Sequence, residues 1–136
     1  MKEIKKLLID TLEHNGFKSL TDGQHYAHPS NNVSVSVKDC YFNNHWCSIK
    51  VTIKAAIVNQ STGATSFLED HNNFWEPSEV EWDMYCEYGT ADKILVNMLN
   101  TFHKKMFFLQ ALEDGETLCI YKKPVFEEYI TTDVPF

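Results

Sequence analysis

The chain contains no arginine: all twelve basic residues among its 136 are lysine. Arginine supplies the planar fork that grips phosphate and guanine, and lysine replaces it poorly. The missing fork and a formal net charge of −7 speak against direct binding to nucleic acid or to an anionic membrane. Glycine is scarce and dispersed, at 16, 23, 63, 89 and 115, which leaves no phosphate-cradling loop and no dinucleotide fingerprint. The four cysteines, Cys40, Cys47, Cys86 and Cys119, form no C-x-x-C pair, and the lysine-bearing N-terminus has no continuous apolar core of the secretory type. Reduced thiols in a cytoplasm are therefore expected. No apolar run reaches bilayer-spanning length, and neither G-x-S-x-G nor H-E-x-x-H occurs.

A hydrophobic fraction of 43% is enough for a packed core, and the length suits one domain over residues 1–136. Residues 2–15 predict an amphipathic helix: Ile4, Leu7, Leu8, Thr11 and Leu12 recur at three- and four-residue spacing, with Lys2, Lys5, Lys6 and Glu13 opposite. Gly16 suits the left-handed position that ends such a helix, and Phe17 can fold back on it. Strands are expected at 24–28, after the turn Thr21-Asp22-Gly23, and at 33–38, where valines alternate with polar residues. The strongest strand signal is 47–57. There Cys47, Ile49, Val51, Ile53, Ala55 and Ile57 take one side, and Ser48, Lys50, Thr52 and Lys54 the other. Ser61-Thr62-Gly63 reads as a hairpin turn into a strand at 64–68.

Residues 69–78 read as a polar connection interrupted by Phe74, Trp75 and Pro77, the two aromatics either plugging a core edge or facing a partner. Residues 79–88 alternate again: Val80, Trp82, Met84, Cys86 and Tyr88 against Glu79, Glu81, Asp83, Tyr85 and Glu87. Thr90 is placed to cap a helix running to about Glu113, with Leu95, Met98, Leu99, Phe102, Met106, Leu109 and Leu112 as its apolar stripe. A strand at 117–121 and a tail at 124–136, which docks on the body or exchanges with another chain, complete the order. The expected fold is α+β: an antiparallel meander of about five to six strands, with the N-terminal helix and the long helix on one face.

Chemistry has few footholds. His28-Pro29-Ser30 is half of a two-histidine phosphoesterase signature, with no second copy. Asp70-His71 is an acid–histidine pair with no attached nucleophile. His25, His28, Cys40, His45 and Cys47 are zinc-compatible donors if the meander brings them together, and a small metal-containing domain or metalloenzyme is one alternative expectation. Against it, Cys47 lies on the apolar side of its strand, and no cofactor, metal site or catalytic residue is assigned.

The charge distribution carries more. Seven acids, Glu69, Asp70, Glu76, Glu79, Glu81, Asp83 and Glu87, fall between 69 and 87 with no lysine among them, and the other twelve acids are matched by the twelve lysines. Alternate residues on a strand stand about 6.7 Å apart, so these acids suggest an ordered anionic row. The expected function is that of an acidic, non-enzymatic protein, monomer or homodimer. It would inhibit a basic partner, a nuclease or other nucleic-acid-handling effector, through Glu76, Glu79, Glu81, Asp83 and Glu87, with Phe74 and Trp75 as anchors. Immunity proteins and viral anti-defence inhibitors offer an analogy of charge and size alone. The alternatives are cross-strand neutralisation by Lys38, Lys50 and Lys54, and a dimeric chaperone or scaffold that holds an extended segment.

Overall fold

The apolar face of the first helix, α1 (Glu3–His14), is dry from end to end: Ile4, Leu7, Leu8, Thr11 and Leu12 are all buried. Its end follows from one glycine. Gly16 adopts φ +88°, its N–H donates to Glu13 O, and the Phe17 N–H reaches back to Leu12 O at 3.0 Å. This is the paired closure that a left-handed residue makes possible, with Phe17 buried beside Leu12. A computed structural model of the chain describes residues 3–29, 32–42, 46–77, 91–115 and 125–129.

Five strands follow: β1 (Lys18–Ser19), β2 (His25–Ala27), β3 (Val33–Phe42), β4 (Trp46–Val58) and β5 (Thr65–Pro77). They pair antiparallel in sequence order, giving the expected meander. Helix α2 (Ala91–Glu113) packs with α1 on the inner face, against Val33, Val35, Val37, Ile49, Val51, Ile53 and Phe74. The arrangement is α+β, with both helices on one side of the sheet.

Besides the two-residue strand β1, which the sequence pattern does not announce, the elements depart from expectation in three places. Residues 69–77 are not a connection; they continue β5 in unbroken register with β4, from Val58 opposite Thr65 to Trp46 opposite Pro77. Residues 69–73 lack β-forming side chains, but β4 is thirteen residues long and its backbone groups need a partner along that length. Second, β3 runs to Phe42 with a register shift between Asp39 and Tyr41 that leaves Cys40 as the extra residue. Third, the sheet-facing row of α2 leaves the expected stripe near its end. Leu95, Leu99 and Phe102 are buried and Met106 packs on the core, but Leu109 and Leu112 are exposed. At 3.6 residues per turn the row passes instead through positions 110 and 113. There Gln110 bonds both backbone groups of Val58, at 3.1 and 2.7 Å, and Glu113 accepts from Asn59. The anticipated strands at 79–88 and 117–121, and Thr90 as a cap, lie outside the described residues.

The described part of the tail, residues 125–129, docks. Phe126 is 4% exposed, within 5.7 Å of Phe17 and about 6 Å of His28 and His103, centroid to centroid. Two asparagines, one from α2 and one just past α1, hold its backbone. Asn100 accepts from the Val125 and Phe126 N–H groups and donates to Phe126 O; Asn15 accepts from Glu127 N–H and donates to Glu127 O. Burial, with His28 nearby, pushes the His103 imidazole, on which Phe126 packs, below its ordinary pKa. Phe126→Ala should therefore destabilise the fold by about 3 kcal/mol. The urea midpoint reads this directly, and a change within error would mean that the tail adds nothing to the core.

Candidate functional site: the open face of the sheet

The alternation that buries one side of β4 sends its lysines to the other, away from both helices. Three cross-strand rows lie on this outer face. One carries Ala27, Ser34, Lys54 and Glu69; the next His25, Ser36, Thr52 and His71; the third Lys38, Lys50 and Asn73. Together they form a hollow of about 350 Å³, lined chiefly by Ser34, Ser36, Lys38, Lys50, Thr52 and Lys54. The extra residue Cys40 also lines it, at the end where β3 bends.

The electrostatics of the hollow are uneven. Lys54 pairs with Glu69 at 3.4 Å. Lys38 and Lys50 are direct cross-strand partners, and among the described residues neither makes an ion pair. Like charges in that position repel and destabilise a sheet. At the rim, the Asp22 carboxylate accepts from the backbone N–H groups of Gln24 and His25, both at 2.9 Å, and contacts the His25 ring. Those backbone bonds, followed by the imidazole, lower its pKa from 3.8 to about 2.

The anticipated acidic site is only partly in view. Glu79, Glu81, Asp83 and Glu87 lie outside the described residues. On β5, Glu69 stands opposite Lys54 on the outer face, whereas Asp70 stands opposite Ile53, a core-facing position of β4; Glu76 is in register with Cys47. The acids of β5 are thus divided between two faces. Neutralisation by β4 reaches Glu69; Asp70 binds the backbone N–H of His71. The two aromatics divide as well. Phe74, opposite Ile49, is 4% exposed and belongs to the core, so it does not serve as a partner-facing anchor; Trp75, on the other side, is 42% exposed. Strand alternation makes it impossible for adjacent residues to share one surface.

The zinc-compatible donors are separated by the same rule. Cys47 is buried in the core, His28 packs on Phe17 and Phe126, and His25 and Cys40 are on the outer side, while His45 lies outside the described residues. Among the described residues no cluster of three or more His, Cys, Asp or Glu could hold a metal ion, and no helix is long and apolar enough to cross a membrane. The lysine hollow was half legible in the sequence. The outward side of each lysine follows from alternation, but the register that sets Lys38 opposite Lys50 does not.

Compared with protein-family models, curated proteins and solved structures, the chain gives no match, so no relative lends a function to this face. The repulsion at its centre can be measured. Lys50→Glu turns a like pair into an opposite one and should stabilise the protein by about 0.5 kcal/mol at low ionic strength, less in salt. A urea midpoint that stays unchanged or falls would show that the two ammonium groups do not oppose each other.

Proposed function

We propose that this is a small non-enzymatic binding protein that occupies a basic surface on a partner and thereby inhibits it, the partner being a protein that handles nucleic acid. The observation that carries the reading is charge segregation: the entire net charge of −7 arises within residues 69–87, the remainder of the chain being balanced. Exposed Glu69 and Asp70 open that stretch on β5, and Trp75 offers an exposed aromatic surface on the same strand. A dense anionic segment steers association with a cationic groove and is screened by salt. An aromatic anchor supplies the desolvated contact that acids alone lack.

Affinity capture from the cell of origin, followed by mass spectrometry, tests this. A basic nucleic-acid-handling protein should be enriched by the native chain and lost in high salt. It should bind at least about tenfold more weakly to the Glu81→Lys, Asp83→Lys double variant, as expected when two charges of the anionic segment are reversed. A partner retained equally by the double variant would remove the proposal.

A second reading has one observation in its favour. The last turns of α2 leave Phe108, Leu109 and Leu112 exposed, the last at 69%. Neighbouring exposed apolar groups of this kind mark contact surfaces, and a homodimer through α2 could present a scaffold for an extended segment. Light scattering should then give twice 15.8 kDa, and Leu112→Lys should halve that mass. A native chain that stays monomeric at high concentration excludes this reading.

A further inference from the structure

We propose that the hollow on the outer face of the sheet binds the di- or triphosphate chain of a small molecule, with Lys38 and Lys50 as its charged clamp and Ser34, Ser36 and Thr52 as hydroxyl donors. The first ground is the unneutralised pair. Two ammonium groups on directly opposed residues weaken the sheet, and nothing in the described fold offsets them. A multivalent anion lying between them converts that repulsion into two charge-assisted contacts. The second ground is the layout. Ser36 and Thr52 face each other one row along from the lysines, and Ser34 one row further, at a spacing of about 6.7 Å per row. Ammonium groups are thus followed by hydroxyls along one direction, as a chain of phosphoryl oxygens needs. At the far end Lys54 is engaged by Glu69, which sets the charged end of the ligand at Lys38 and Lys50.

The size and the donor type select the ligand class. A hollow of about 350 Å³ falls at the small-molecule end of binding sites, which run from about 300 to 1,000 Å³. With no arginine in the chain, neither carboxylate nor phosphate can be gripped by a bidentate fork; lysine binds phosphoryl oxygens as a point charge, so the site selects by charge density, which is higher along a di- or triphosphate than on a carboxylate. The site is also distinct from the acid-driven binding proposed above. It has the opposite sign, and of the acidic stretch it includes Glu69, which lines the hollow and pairs with Lys54 at its far end.

Titration calorimetry of the intact protein with sodium tripolyphosphate tests this, with citrate and a short single-stranded DNA as comparison probes. One saturable site with Kd below about 1 mM is expected at low ionic strength, with citrate at least about tenfold weaker. The Lys38→Gln, Lys50→Gln double variant should bind at least about tenfold more weakly, while its urea midpoint equals or exceeds the native one because the repulsion is gone. That second measurement separates loss of the site from loss of the fold. The proposal is overturned by an absence of saturable binding, by equal binding to the double variant, by citrate matching tripolyphosphate, or by the DNA binding more tightly than either.

Discussion

The alternation of β4 is the constraint on which the rest of the molecule depends. Every second residue from Cys47 to Ile57 is buried, and each large aliphatic side chain among them contributes roughly 1.5–3 kcal/mol through removal from water. That dry row belongs to one core with Leu8, Leu12, Leu95 and Leu99 of the two helices. Both edges of β4 are hydrogen-bonded, to β3 and to β5, so its length dictates theirs. β5 accordingly continues through Glu69, Asp70, His71, Asn72 and Asn73, residues that would not form a strand unaided.

Where a pattern is local, it could be read from the sequence. The face of α1, its glycine closure and the two sides of β4 each depend on residues within a few positions of one another, and each stands where the spacing predicts. Where a partner supplies the reason, the sequence is silent. β5 is a strand because of β4. Asn15 and Asn100 look like ordinary polar surface residues, yet they hold the tail's backbone across 112 and 26 residues of chain. Gln110 and Glu113 displace Leu109 and Leu112 from the sheet-facing row because the helix keeps its own period, whatever the apolar residues nearby. The pairing of Lys38 with Lys50 belongs to the same class, since it depends on the register across a turn.

The two sides of β4 also separate the packed core from the chemistry of the outer face. On the inner side, Ile49, Val51 and Ile53 are enclosed, and shortening any of them leaves a void. On the outer side, Lys50, Thr52 and Lys54 have no such packing, and a fold selected for stability alone would have no use for opposed ammonium groups. A one-residue slip would exchange the two sides completely, so the core that fixes the register also holds the lysines in place. The extra residue at Cys40 shifts the register of β3 once: Asp39 pairs with Ile49 before it, and Tyr41 with Ser48 and Phe42 with Cys47 after it. The bend falls beside the lysine row and leaves the buried row of β4 uninterrupted. The outer face can therefore change its chemistry at little cost to the fold, without disturbing the inner one.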